Sequence, residues 1–353
     1  MNEITYYFGA GASCQSMPLV ADFEKRFDYF LDYVKRLNLP GSGTFLEYCT
    51  QFKRDVSSHL SFDTLFKKLY HKQDNGTIQL YKSLILAYFI YEQLLQVPEE
   101  TDPDKRVAGK SRNPDPRYEA LIAGLLKPLN TSIEFYTRVN FITWNYDANL
   151  VEALRTFVAP YVPLHKFILD KLADGQLVCT PQASITHLNG LINHPQVNKG
   201  FAVPNETLNH ILDELIHDFD RLSTYSSLIS FSWEKLSYIN GYLQMPDFVV
   251  KAKEAVQRSR NIVIVGYSFP LYNRPIDSFI LNRNTLSGKD LYIQSPDAAQ
   301  IKEILANDFN IQDIQIAPPG LAHLGVKAIK QCSSFFVPNT IFRQTLREID
   351  PTV

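Results

Sequence analysis

Ile4-Thr5-Tyr6-Tyr7-Phe8-Gly9-Ala10-Gly11-Ala12-Ser13 is the stretch that decides the fold. A β-branched and aromatic run that stops at two closely spaced glycines reads as a strand entering a tight turn. Beyond the turn, Val20, Phe23, Phe27, Phe30, Leu31, Val34 and Leu37 recur every three or four residues, which specifies a helix with one buried stripe. Pro40-Gly41-Ser42-Gly43 ends it. The same alternation returns later, with strands expected at 139–143, 183–188, 261–265, 290–293 and 313–317. Helices are expected at 149–157, 248–258, 297–306 and 338–348. Strands alternating with helices specify a parallel sheet, so the fold class is α/β.

Two helical insertions interrupt that alternation. Residues 45–135 carry a helical pattern as far as 97, including Ile78, Tyr81, Leu84, Ile85, Tyr88 and Leu94, and then a polar stretch at 98–118 with four prolines. That stretch is too long for an ordinary connection and reads as either a functional loop or a disordered one. The second insertion, 205–250, opens at Asn205 as a plausible N-cap and shows an apolar stripe of Leu208, Ile211, Leu212, Leu215, Ile216 and Phe219. The core is then 1–44, 136–204 and 251–353. A length of 353 residues fits one α/β domain with insertions as well as two modules.

Composition excludes several classes. Hydrophobic residues at 45% and charged residues at 20% are enough to bury a core, which excludes wholesale disorder. A net charge of −2 leaves no overall basic field to hold nucleic acid by its phosphates. The basic residues Lys105, Arg106, Lys110, Arg112 and Arg117 are interspersed with acids. The four cysteines, Cys14, Cys49, Cys179 and Cys332, form no C-x-x-C pair, which argues against a zinc ribbon and a disulfide framework. The start Met1-Asn2-Glu3 lacks signal-peptide character and no apolar run reaches the roughly 18 residues of a membrane span, so the expected compartment is the cytoplasm.

In an open parallel sheet, ligands bind beyond the carboxyl ends of the strands, and the polar residues there are the candidates. After the first strand, Gly9, Ala10, Gly11 and Ser13 read as a turn that lets backbone N–H groups approach a phosphate, helped by the following helix N-terminus. The full G-x-G-x-x-G is missing, since Cys14 holds the last place, and a plain strand-to-helix turn is the competing reading. In Phe141-Ile142-Thr143-Trp144-Asn145-Tyr146-Asp147, alternation puts Thr143, Asn145 and Asp147 on one side if the strand continues; a helix N-cap is the alternative for Asp147. In Thr186-His187-Leu188-Asn189-Gly190, His187 and Asn189 share a face. Gly266-Tyr267-Ser268-Phe269-Pro270 and Gln294-Ser295-Pro296 close the set, with Ser268 and Ser295 as hydroxyls at strand ends. Gly109-Lys110-Ser111 resembles the end of a P-loop, but Asp104 stands where its first glycine belongs and no strand precedes it. No G-x-S-x-G or H-E-x-x-H exists, and no metal ligands are assigned.

In order and type, GAGAS, TWNYD, THLNG and GYSFP resemble the prokaryotic sirtuin-like family of NAD-consuming proteins. The resemblance implies a Rossmann-like parallel sheet binding NAD. Gly9, Ala10, Gly11 and Ser13 would lie near the pyrophosphate, and Gly266 and Ser268 beside the adenosine half, with Ser295 a further cofactor-binding candidate. Asn145 would take the nicotinamide ribose or the attacking water, with Asp147 ordering the pocket and Thr143 among the cofactor-binding candidates. The family histidine directly precedes glycine, whereas here Asn189 holds that place and His187 lies two residues earlier. His187 is expected to point into the same cleft about 6.6 Å along the strand, as the base, with Asn189 as ribose ligand. The zinc module of deacylating sirtuins is absent and no G-I-P-D-F-R follows GAGAS, which disfavours deacylation.

The activity so implied is NAD glycohydrolysis to nicotinamide and ADP-ribose. It passes through an oxocarbenium-like centre with a good leaving group, so the protein has only to hold the ribose, shield one face and orient a water. The family implies an NAD-depleting effector of antiphage defence, a homo-oligomer, switched by a phage-derived trigger or a partner such as a helicase-like ATPase. The alternative is a sensor that binds NAD or ADP-ribose without turnover and signals by assembly.

Overall fold

The computed structural model describes residues 3–59, 61–95, 115–127, 133–173, 176–191, 205–217, 229–239, 242–309, 311, 327–329 and 333–341. Ten strands are described: β1 (Glu3–Phe8), β2 (Val139–Thr143), β3 (Leu172–Ala173), β4 (Gln176–Thr180), β5 (Ala183–His187), β6 (Ser237–Ile239), β7 (Tyr242–Gln244), β8 (Ser259–Val265), β9 (Asp290–Gln294) and β10 (Lys327–Ile329). Eight of them form one sheet in the order β10-β9-β8-β1-β2-β5-β4-β3. The six from β10 to β5 run parallel, and β4 and β3 add an antiparallel edge. This is a mixed α/β, Rossmann-like architecture, with β1 at its centre paired to β2 on one side and β8 on the other.

The central strands are apolar on both faces because helices cover both. Helices α5 (Pro116–Leu125), α6 (Asn149–Val158) and α7 (Leu164–Lys171) pack on the face that carries Ile4, Tyr6, Phe8 and Phe141. Helices α9 (Asp247–Arg258), α10 (Arg274–Ile280), α11 (Arg283–Leu286) and α12 (Ala298–Asp308) cover the other, which carries Tyr7, Ile142, Ile264 and Ile293. The alternation Tyr6–Tyr7–Phe8 therefore splits one strand between two cores, as a period of two requires.

A third core belongs to the remaining helices: α1 (Phe23–Leu37), α2 (Ser42–Ser57), α3 (Phe62–His71), α4 (Asn75–Leu94) and α8 (Asn205–His217). The two insertions thus pack on each other, Leu208, Ile211, Leu212 and Leu215 of α8 joining the cluster of α4. Two helices change sides relative to the sequence ranges. The stripe of α1, placed with the core in 1–44, meets Phe52 and Tyr88 through edge-on aromatic contacts at Phe23 and Phe27. Buried Arg26 pairs with buried Glu92 of α4 and ties α1 to the insertion. Conversely α5, inside the range 45–135, packs on the sheet beside α6. Helical periodicity reports that a face is buried but not against what.

Other expectations shift. The antiparallel edge β3–β4 and the small hairpin β6–β7 were not anticipated; the hairpin falls in the span read as a second helical insertion. The strand expected at 313–317, most of the 98–118 stretch, including Gly109-Lys110-Ser111, and residues 342–348 lie outside the described residues. Among the described residues no helix is long and apolar enough to cross a membrane. Cys49 and Cys179 are buried, Cys14 half-buried, and none of the three is in a disulfide.

Candidate functional site

A cavity of about 550 Å³ opens at the carboxyl ends of β1, β2, β8 and β9 and beside the segment after β5. That size suits an organic cofactor or substrate. Of the residues singled out in the sequence, Ala10, Gly11, Ser13, Asn145, Asp147, Asn189, Gly266, Ser268 and Ser295 line it. They come from five separate strand ends, which only a parallel sheet brings to one edge. Gly9, Thr143 and His187 do not line it.

The glycines do something other than present N–H groups to a phosphate. Gly9 N donates to Val265 O at 3.0 Å and Gly11 N to Gly266 O at 2.9 Å, while Gly266 N donates to Gln294 O at 3.0 Å. The turns after β1 and β8 are thereby laced together, backbone against backbone. A Cβ at Gly9 would lie 2.6 Å from the Tyr267 Cα, and one at Gly266 2.5 Å from the Ala12 N. Gly266 also holds φ +57°, a left-handed conformation natural to glycine. The residues were found in the sequence, but the role expected of Gly9 and Gly11 is corrected from phosphate donors to close packing. The helix N-terminus expected at this turn is corrected too: a four-residue 3-10 turn, Ala10–Ser13, follows β1, and α1 starts only at Phe23. Next to this turn Phe269 keeps a positive φ of 54°, held by its stacking on Tyr7 and an edge contact with Phe309.

A buried polar network converges on Asn145. Its Nδ2 donates to Ser13 Oγ at 3.0 Å, and Ser13 Oγ lies 3.0 Å from the Tyr118 hydroxyl. The Asn145 backbone N–H donates to Thr143 Oγ1 at 3.0 Å, so Thr143 supports the site from beneath. Asp147 accepts from Asn149 N at 3.0 Å and from Asn149 Nδ2 at 2.6 Å. The N-cap of α6 is Ala148, without a side-chain bond, so Asp147 is not the cap expected as its alternative role: it holds the first helical N–H from one residue earlier and also lines the cavity. Burial pushes the Asp147 carboxyl above the usual range, opposed by the Asn149 donors and by Ser13.

His187 departs from expectation. It is buried at the end of β5, opposite Thr143, with Nδ1 3.4 Å from the Asn145 main-chain oxygen. As the last residue of β5, paired with Thr143, it stays against the Asn145 main chain, whereas Asn189 lies beyond the strand and is not bound by its period of two. Asn189 takes the cavity wall instead. Its Nδ2 donates to Trp144 O at 3.2 Å, and its buried Oδ1 has no hydrogen-bond partner among the described residues.

Among the site residues that the sequence reading does not mark as ligand candidates are Asp115, Arg117 and Tyr118. Arg117 pairs with Asp115, donates to Ala12 O at 2.9 Å and so clamps the turn after β1. Asp115 N in turn donates to Asn149 Oδ1 at 3.0 Å. The signal was present as Asp115-Pro116, an N-cap followed by proline at the first helical position. It was hidden in a proline-rich polar stretch that reads as a loop.

The other walls are held from below by Asp277, fully buried. It accepts from Tyr7 OH at 2.5 Å, Tyr267 OH at 2.7 Å and Trp144 Nε1 at 3.1 Å, and Trp144 and Tyr267 both line the cavity. Desolvation pushes its carboxyl up to about 7, against the pull of those donors. An unfolded aspartate titrates near 3.9, so between about pH 4 and pH 7 the folded protein keeps a proton the unfolded chain has released. That contribution to stability is complete below about pH 4 and is lost as pH rises through about 7. The melting temperature of Asp277→Asn, which cannot ionise, is expected to gain on wild type between about pH 5 and pH 8. A difference independent of pH would show that Asp277 does not titrate there.

Across the cavity, α3 and α4 bring Phe62, Asp63, Tyr88 and Phe89 to the lining, joined by Tyr146 and Tyr272. Asp63 accepts from Tyr272 OH at 3.2 Å, and desolvation pushes its carboxyl up to about 7. Among the described residues no group of three or more His, Cys, Asp or Glu is placed to hold a metal ion. The chain matches no protein-family model, and a search of the curated proteins likewise returns no match.

Proposed function

We propose that this protein is an NAD glycohydrolase that cleaves NAD to nicotinamide and ADP-ribose. The observation that carries the reading is the convergence of Asn145, Asp147, Asn189 and Ser268, from three separate motifs, on one cavity at the strand ends. The residues fit a dinucleotide in one specific respect: the buried, unpartnered Oδ1 of Asn189 awaits a donor such as a ribose hydroxyl. Asn145 is held by Ser13 through its Nδ2, leaving its Oδ1 to accept from ribose or water. In the reaction, a water oxygen bonds to C1′ of the ribose as the C1′–N bond breaks. The bonding pair neutralises the departing pyridinium nitrogen and the water's proton passes to solvent. Asn145 orients that water, and His187 is a positioning residue that steadies the Asn145 main chain. An NAD-depleting role in antiphage defence, assembly into a homo-oligomer and control by a phage-derived trigger or a helicase-like ATPase rest on the resemblance alone.

One observation favours a second reading, a sensor that binds NAD or ADP-ribose without turnover. Asn189 rather than His187 lines the cavity, so the THLNG block contributes no base to the lining. The deciding assay is nicotinamide release from NAD over a range of protein concentrations, because assembly is expected to switch activity. Release supports the hydrolase. Binding of NAD without release at every concentration, in the purified protein alone, supports the sensor.

A further inference from the structure

The wall that the helical insertion adds to the cavity has a chemistry of its own. It is an aromatic recess with a single carboxyl group, Asp63, which is 6% exposed and contributed by the first turn of α3. Phe89 and Tyr146 stack there with centroids 5.7 Å apart, and the buried Tyr146 hydroxyl has no hydrogen-bond partner among the described residues. Among the described residues, the side-chain hydrogen bond to Asp63 comes from a neutral phenol, Tyr272. Among the described lining residues the only cationic side chain is Arg117, and its guanidinium is already paired with Asp115. A desolvated carboxyl group with aromatic faces around it and no cation beside it attracts a flat positive charge: the carboxylate supplies the opposite charge and the rings their negative faces.

We propose that this recess receives a cationic nitrogen-containing aromatic ring, with Asp63 opposing its charge and the rings of Phe89 and Tyr146 forming its wall. Resting on the NAD reading, that ring is the pyridinium of oxidised NAD. The recess then selects the oxidised over the reduced dinucleotide. It also loses its hold once cleavage neutralises the ring, which eases release of nicotinamide. Nothing in the four motifs marks this function, because Asp63 lies in the insertion between them.

The test compares 1-methylnicotinamide, a fixed cation, with neutral nicotinamide by calorimetry on the full chain, and NAD with ADP-ribose in the Asn145→Ala background. Wild type is expected to bind the cation about tenfold more tightly than the neutral amide, and Asp63→Asn to abolish that preference. Asp63→Asn is also expected to weaken NAD about tenfold while leaving ADP-ribose within about twofold. Equal binding of cation and neutral amide by wild type overturns the proposal without any variant having to fold. So does a folded Asp63→Asn that keeps the preference, or one that loses ADP-ribose as much as NAD, which would put the adenosine half in the recess. A preference for the cation in a protein that binds neither NAD nor ADP-ribose would keep the recess and remove the NAD reading. Binding of both dinucleotides with no cation preference would do the reverse.

Discussion

Gly266→Ala is expected to destabilise the protein by roughly 3–5 kcal/mol and to abolish ligand binding at the strand ends. Two costs combine. An alanine at φ +57° is strained, and its Cβ would lie 2.5 Å from both the Ala12 N and the Gly11 carbonyl carbon. Those are backbone atoms in the turn after β1, tied by their own hydrogen bonds, so no side chain can swing away to make room. The whole turn would have to separate from β8, taking Ser13 and its partner Asn145 with it. Gly288→Ala is the matched control. Its φ is +73° but nothing lies within 4 Å of the added Cβ, so it carries the conformational cost alone, about 1 kcal/mol. Thermal or denaturant unfolding of the two variants reads the difference. Equal losses would show that the interlocked turns do not matter to stability.

Asn145→Ala is expected to slow nicotinamide release by about a hundredfold or more while ADP-ribose still binds. The side chain is anchored by Ser13, itself in contact with Tyr118, and its main chain is held by Thr143 and His187. The amide is thus pre-oriented, and its removal deletes an interaction with the reacting centre without dismantling the wall. Steady-state release and calorimetry on one preparation separate the two effects. Release at the wild-type rate would remove Asn145 from the mechanism. His187→Ala is expected to have a smaller effect, since His187 lies behind the Asn145 main chain rather than on the cavity. An equal effect from both would mean that His187 reaches the reacting atoms after all.

Much of this architecture is legible in the sequence. Strands β1, β2, β5, β8 and β9 are short apolar runs that end at glycine, asparagine or serine, and both period and punctuation survive in a linear string. The candidate residues at their ends were legible for the same reason, because carboxyl ends of parallel strands share one edge. What stayed hidden were contacts between segments far apart in the chain. Arg117 reaches Ala12 across 105 residues, and Asp277 reaches Tyr7 across 270. A local pattern carries no information about such partners.

The glycines show where the division falls. That Gly9, Gly11 and Gly266 lie in turns followed from residue type alone, since each ends an apolar run. That the amides of Gly9 and Gly11 bond to Val265 O and Gly266 O, and that of Gly266 to Gln294 O, rather than turning to a ligand, depended on β1, β8 and β9 becoming neighbours in the sheet. His187 and Asn189 divide the same way: the motif was readable, but the end of β5 at His187 decided which of them lines the cavity. The sequence by itself determined the parallel α/β core and the strand-end residues, because these depend on local period and turn chemistry. Only the tertiary structure decided that α1 belongs with the insertion, that Asp63 joins the site and that the turn glycines bond to neighbouring strand ends, because burial against a distant surface is a property of the pair and not of either segment.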